Sequence, residues 1–301
     1  MQRTKITRRE FIKGTAALAG GVLLTPSALA AVAKSSKRTA TDQVALGKTG
    51  LKLSRLGFGT GTVGGRVQRD LGHDGFNRLM RYAYDKGITY IDTADAYKTH
   101  EYVRQAIKGL PRERLFIQSK MGGVPQNPLE VLDRFRKELN VDYIDSVLTH
   151  CAVRKTWDED RKKVLDALHE AKEKKIIRAH GLSCHSLAAV ARSAQVDWVD
   201  VHLVRINPQG SHMDTPSERW NARSDASHVP AVMEQIKIMH EKRHGIIGMK
   251  IMGEGEFTDP EDREKSIRFA MQGGLLDAIV IGFKSTAEID EAIERMNRAL
   301  A

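Results

Sequence analysis

Cysteine is scarce: 301 residues contain only Cys151 and Cys184. That excludes a disulfide-dense scaffold, an iron–sulfur cluster held by four cysteines and a cysteine-only zinc site. A single Cys151–Cys184 disulfide is open, but two small packing residues are the favoured reading. Proline is sparse too, with eight residues, and no Pro-, Gly- or Ser-rich linker divides the chain after its first forty residues. A long apolar run is also missing. The uncharged stretch from Gly14 to Ala33 contains Gly14, Thr15, Gly20, Gly21, Thr25, Pro26 and Ser27. A membrane span needs about 20 predominantly apolar residues, so no stable membrane anchor is expected. Evenly spread basic charge is absent as well. The net charge is +10, but residues 1–40 hold eight basic groups and one acid, which accounts for +7 of it. The other 261 residues carry 40 basic and 37 acidic groups. Such a mixed surface offers no footprint for nucleic acid. A hydrophobic fraction of 41% is enough to build a core.

The N-terminal charge has a different use. Residues 7–13 read Thr-Arg-Arg-Glu-Phe-Ile-Lys, the weakly apolar stretch follows, and Ala28-Leu29-Ala30 and Ala31-Val32-Ala33 close it. A charged head, an apolar middle and a small-x-small end make a signal-peptide pattern. The paired arginines with Phe-Ile-Lys resemble the twin-arginine export signal. That resemblance implies a signal peptide over 1–33, a flexible leader over 34–42, and a partner in the twin-arginine translocation machinery. The protein would be periplasmic or otherwise exported, crossing already folded, a route used by proteins that take up a cofactor first.

From residue 54 the chain alternates short apolar runs with charged helical patterns. The runs are Leu53–Thr60, Thr89–Thr93, Leu115–Lys120, Tyr143–His150, Ile177–Ser183, Val199–Asn207, Ile246–Met252 and Ala278–Phe283. Between them apolar residues recur at helical spacing, as in Val131, Phe135, Leu139 and in Val164, Leu165, Leu168. Eight strand–helix units in roughly 250 residues predict an α/β fold, a (β/α)8 barrel over 43–301. A doubly wound open sheet is the rival. The irregular stretch Pro208–His228, with Trp220, follows the sixth run and is expected to be a lid, a substrate wall or a plain surface insertion.

In such a barrel the strands' C-terminal ends face one shared site. The second run ends in Asp92, with Tyr97 just beyond. The third ends in Lys120 and the fourth in His150. These four suit carbonyl reduction. A tyrosine donates a proton, a nearby lysine is expected to lower the phenol's pKa, an aspartate holds the lysine, and a histidine orients a carbonyl oxygen. A hydride must come from a nicotinamide cofactor.

These residues carry a further resemblance. The segment Ala45-Leu46-Gly47-Lys48-Thr49-Gly50 through Gly57-Phe58-Gly59-Thr60 is similar to the N-terminal hairpin and first strand of aldo-keto reductases. Ile91-Asp92-Thr93-Ala94 with Tyr97 and Glu101, Ser119-Lys120, and Tyr143-Ile144-Asp145 to His150 resemble that family's next three strand motifs. The resemblance implies a catalytic tetrad of Asp92, Tyr97, Lys120 and His150, with Tyr97 the general acid, and a small-molecule carbonyl substrate. It further implies cofactor contacts from Thr60, Asp92, Ser183, Asn207, Lys250, Gly282, Lys284 and Ser285. Departures are visible. Cys184 stands where the family has Asn, and Met249 stands near a stacking aromatic. Lys284 and Ser285 suit a 2′-phosphate and favour NADP(H) over NAD(H), while Asp290, Glu291 and Ala292 replace the usual Arg or Asn. Two other readings stay open. One is an exported nicotinamide-binding sensor or redox-interaction protein with little turnover. The other is a metal-dependent hydrolase using His150, His185 and His202, although the main expectation includes no metal.

Overall fold

Residues 37–301 are described by the computed structural model. The expected signal peptide, 1–33, lies outside them. Residues 38–42, expected to be a flexible leader, are tied down instead. Ala40 N donates to Asn297 Oδ1 at 2.8 Å and Leu56 N donates to Ala40 O at 2.8 Å. Ala40 is fully buried, so the barrel's packed edge begins before the first strand.

An antiparallel hairpin comes first, β1 (Gln43–Ala45) and β2 (Lys52–Ser54). Eight parallel strands then close on themselves: β3 (Leu56–Gly59), β4 (Tyr90–Asp92), β5 (Phe116–Gly122), β6 (Ile144–Ala152), β7 (Ile177–Cys184), β8 (Val201–Arg205), β9 (Gly245–Met249) and β10 (Ala278–Gly282). Neighbours follow chain order and β10 pairs β3, so this is the expected (β/α)8 barrel. The first apolar run is split by Arg55: Leu53 and Ser54 belong to the hairpin, and only Leu56 onward enters the barrel.

Among the described residues ten helices wrap the barrel: α1 (Arg66–Arg69), α2 (Gly72–Asp85), α3 (His100–Ile107), α4 (Pro128–Leu139), α5 (Trp157–Asp160), α6 (Lys162–Glu173), α7 (Leu187–Gln195), α8 (Val229–Glu241), α9 (Pro260–Gln272) and α10 (Thr286–Leu300). Their apolar stripes explain their seating. On α2, Phe76, Leu79, Met80 and Ala83 recur at three- and four-residue spacing and are all buried. Caps set the ends. The Ser186 hydroxyl accepts from Ala189 N at the start of α7, and Asp259 accepts from Glu261 N ahead of Pro260 at the start of α9. Asn140 closes α4 with a left-handed φ of 54°.

Period-two alternation sorts the strand side chains. Tyr90, Phe116, Leu148, Ala179, Val201, Leu203, Ile247, Met249, Ala278 and Val280 fill the barrel interior, with Leu46, Leu51 and Leu53 of the hairpin stopping its N-terminal end. Gly47 allows that close fit: its φ is 49°, and a Cβ there would lie 2.4 Å from Gly245 N. The plug leaves the C-terminal mouth as the open end. Carried forward by the same alternation, Asp92, Lys120, His150 and Arg205 project into that mouth above Tyr90, Phe116, Leu148 and Leu203.

Candidate active site

The site begins with an ion pair. Lys120 is completely buried, and its Nζ donates to both Asp92 carboxylate oxygens at 2.7 Å and to Thr93 O at 2.9 Å. Removing an ammonium from water is costly unless its donors are satisfied; here all three are. Burial pulls the Lys120 pKa below its ordinary value, and Asp92 opposes that pull. Gln118, two residues back on the same face of β5, donates from Nε2 to Asp92 Oδ1 and Tyr90 Oη, both at 2.9 Å.

Tyr97 follows β4 on a short 3-10 turn, Asp95–Tyr97. Its ring lies 4.8 Å under Lys120 Nζ, a cation–π contact. Its Oη is 3.5 Å from His150 Nε2, with the two rings edge to face. Gly61 makes room for the ring, since a Cβ there would sit 2.5 Å from Tyr97 Cζ. Burial, then the Asp92 carboxylate, hold the Tyr97 pKa well above its ordinary value. This reverses the expectation that Lys120 lowers it. Burial dominates, and the ammonium offers no offset, because it faces the ring and spends its hydrogen bonds on Asp92 and Thr93. The phenol therefore keeps its proton at neutral pH and has one to donate. His150 is driven the other way, to about 3, by burial first and then by Lys120, Arg161 and Lys250. Its imidazole is neutral and can offer a hydrogen bond without becoming charged.

A groove of about 480 Å³ opens beside this cluster. Asp92, Tyr97, Met249, Arg263, Glu291 and Arg295 line it. Lys250, Gly282 and Lys284 lie along it. A long, polyanionic ligand fits such a groove, because cations occur along its length. Each cation nevertheless has an acid partner. Lys250 pairs with Glu254, Arg263 and Arg295 both meet Glu291 at 2.8 Å, and Lys284 lies 3.7 Å from Glu288. Glu254 also accepts from Val63 N at 2.6 Å, bridging the segment after β9 to the loop after β3.

The four expected catalytic residues are brought together. Of the expected cofactor residues, Asp92, Lys250, Gly282 and Lys284 line the groove; Thr60, Ser183, Asn207 and Ser285 do not. The Thr60 hydroxyl pairs with that of Thr99 at 2.8 Å, and Ser183 Oγ lies 3.3 Å from His185 Nε2. The Asn207 amide donates to Ser211 O and Lys250 O, and Ser285 caps α10. Asp290 faces outward to Tyr82 and Lys86. The stretch Pro208–His228 contributes nothing to the groove, whose wall comes instead from Ile251–Thr258. Within it Trp220 is 61% exposed, and only its carbonyl reaches the mouth, accepting from Arg205 at 2.8 Å. Cys151 and Cys184 are free thiols, the first beside His185 Nδ1 at 3.2 Å and the second beside Ser193. His202 bonds His244 and Ser193 away from His150 and His185, so the three histidines of the hydrolase reading do not converge.

Sequence reasoning missed Gln118, Arg263 and Arg295. Gln118 was findable, because it shares the interior face of β5 with Lys120 at a spacing of two. The two arginines reach the groove from α9 and α10, and no local pattern marks them.

A part-buried tyrosine beside a groove lined by cations thus stands at the barrel's C-terminal mouth. The profile of the Aldo/keto reductase family matches residues 55–298, and the chain belongs to that family. Among curated relatives, "Probable aldo-keto reductase 1" of Glycine max is 32% identical over 181 residues, 52% of this chain and 51% of the relative. The NADH-specific methylglyoxal reductase of Escherichia coli (strain K12) is 29% identical over 165 residues, 46% of this chain and 51% of the relative. The chain thus spans about half the length of these relatives. A Pseudomonas aeruginosa chain solved as an aldo-keto reductase superposes with a TM-score of 0.71 over 88% of this chain and 98% of its own, at 23% identity, which bears on the fold alone.

Proposed function

We propose that the protein reduces an aldehyde or ketone, or oxidises the matching alcohol, with NADP(H) favoured over NAD(H) and Tyr97 as the general acid. The observation that carries this reading is the part-buried Tyr97 hydroxyl, 3.5 Å from His150 Nε2 beside the groove. A nicotinamide held along Asp92, Met249, Lys250, Gly282 and Lys284 supplies the hydride when bound. The chain's own residues do the rest. Neutral His150 orients the carbonyl oxygen by a hydrogen bond. Tyr97 delivers a proton to that oxygen as negative charge builds on it. Asp92 and Lys120 fix the floor on which Tyr97 rests. The preference for NADP(H) is supported by Lys284, Arg263 and Arg295 in the groove's lining, cations that a 2′-phosphate's two added negative charges would suit. The NADH-specific relative makes NADH the necessary comparison.

Export through the twin-arginine machinery is the matching cellular reading, supported by Arg8, Arg9 and the small-x-small ends at Ala30 and Ala33. It predicts secretion that stops when both arginines become lysine.

The reading is tested by titrating the protein with NADPH and with NADH, then following cofactor oxidation against a panel of aldehydes and ketones. Tighter NADPH binding with repeated turnover is expected. One burst without turnover would mark a cofactor-binding protein instead, and failure to bind either cofactor would refute the proposal.

A further inference from the structure

The strand that carries His150 is irregular at that residue. β6 pairs β7 in step up to Thr149↔Leu182 and resumes at Ala152↔Cys184, with the register shifted between. Cys151, inside the shift, has a φ of 58°. A non-glycine residue there is strained and persists only where its surroundings hold it. Bulges of this kind re-aim side chains near active sites.

One side chain spans the break. Arg161, at the joint between α5 and α6, donates from Nη1 to Thr149 Oγ1 at 2.5 Å and to His150 O at 2.7 Å. Its Nη2 donates to Cys151 O at 3.2 Å. Three consecutive residues of the irregular stretch are thus gripped by one planar guanidinium, a geometry that the point-like ammonium of lysine cannot reproduce. Among the described residues Arg161 makes no ion pair. The adjacent acid, Asp160, turns to Thr156 at 2.9 Å and to Arg154 at 3.5 Å. The other cations near His150 are neutralised, Lys120 by Asp92 and Lys250 by Glu254.

We propose that Arg161 is the positioning residue for His150, its guanidinium fixing the bulge that aims the imidazole at Tyr97. The inference rests on the carbonyl-reductase reading for its effect on turnover, but not for its effect on His150 itself. The groups that face His150 are Lys120 on β5, Asp95 and Tyr97 after β4, Lys250 after β9, His185 after β7, Cys151 on its own strand, and Arg161. Arg161 is the cation among them without an ion-pair partner among the described residues, so its removal does more than loosen the strand: it also takes away a charge that helps keep the imidazole neutral.

The test uses the full chain and three variants, Arg161→Gln, Arg161→Lys and Thr149→Val. Three quantities are read: KM and kcat for an aromatic aldehyde with NADPH, the NADPH Kd, and the NMR titration of the His150 ring, assigned through His150→Asn. R161Q is expected to raise the aldehyde KM by about ten- to a hundredfold. It should leave the NADPH Kd within about twofold, because Arg161 does not line the groove, and move the His150 titration upward. R161K should restore the titration, since it returns the charge, but only part of the KM. If R161Q fails to fold, T149V decides. It removes one acceptor while keeping the charge, so KM should rise and the titration should stay. A folded R161Q with wild-type KM and wild-type titration overturns the proposal, as does T149V with an unchanged KM. If the wild type turns over no carbonyl, the reductase reading fails, and the His150 titration in R161Q and R161K alone upholds or overturns the role of Arg161.

Discussion

At the ends of β4, β5 and β6 the charges are buried: Lys120 is wholly enclosed and Asp92 is 4% exposed, joined by two bonds of 2.7 Å. Across the mouth, between β9 and α10, the ion pairs stand partly in water. Lys284 is 69% exposed and Arg263 is 24% exposed. Both sides are strongly charged, yet they are built for different work. The buried side holds a fixed proton inventory, with Tyr97 protonated and His150 neutral. The open side holds cations loosely, each with an acid that an incoming polyanion can displace. Screening by salt separates them further, since exposed pairs are weak and buried ones are not.

Breaking the buried side should cost most. Lys120→Met leaves the Asp92 carboxylate enclosed without its cation, which typically costs about 3–5 kcal/mol, and turnover should vanish with it. Adding Asp92→Asn should restore much of the stability, read by denaturant unfolding, and none of the activity.

Acid should act on the buried histidines, at the site and elsewhere in the barrel. His150 is held at about 3 and His180 at about 4, mainly by burial, and His185 and His202 lie well below their ordinary values. A histidine depressed in the fold binds its proton first in the unfolded chain. Its stabilising contribution is therefore full above about pH 6.5 and shrinks as the pH falls toward 4. Buried Asp214, pushed up to about 7, has the opposite sign, favouring the fold most at low pH and losing that contribution as the pH rises through 7. Asp277, raised by burial, has the same sign as Asp214; four histidines outweigh the two aspartates, so the unfolding midpoint should drop between pH 6.5 and 4. A midpoint that rises over that window would contradict the assigned protonation states.

The open side should respond more gently, and to salt. Glu288→Gln frees Lys284 and should tighten NADPH binding by about two- to fivefold at low salt, with kcat unchanged. The gain should fade at higher salt as screening increases. A salt-independent gain would mean that Glu288 acts through shape.

The contrast also explains what could be read in advance. Asp92, Lys120 and His150 stand at strand ends on a period of two, so local pattern placed them at the mouth, and Tyr97 followed from its spacing after β4. The ring of eight strands was readable for the same reason, apart from the split at Arg55. Arg263 and Arg295 were not readable, because they meet at Glu291 from two different helices. Pro208–His228 stayed open between a lid, a substrate wall and a surface insertion because an aperiodic loop carries no signal of where it folds; the wall of the groove is the shorter segment after β9. The reversed Tyr97 shift depended on burial first and then on the nearby Asp92 carboxylate, which only three-dimensional geometry decides.

The most direct test is Tyr97→Phe. That change deletes one hydroxyl and leaves the ring over Gly61 and under Lys120. The account predicts that kcat for carbonyl reduction falls by about 10²–10⁴, while the NADPH Kd and the unfolding midpoint stay near wild type. A Tyr97→Phe protein with kcat within about threefold of wild type would show that the proton comes from elsewhere.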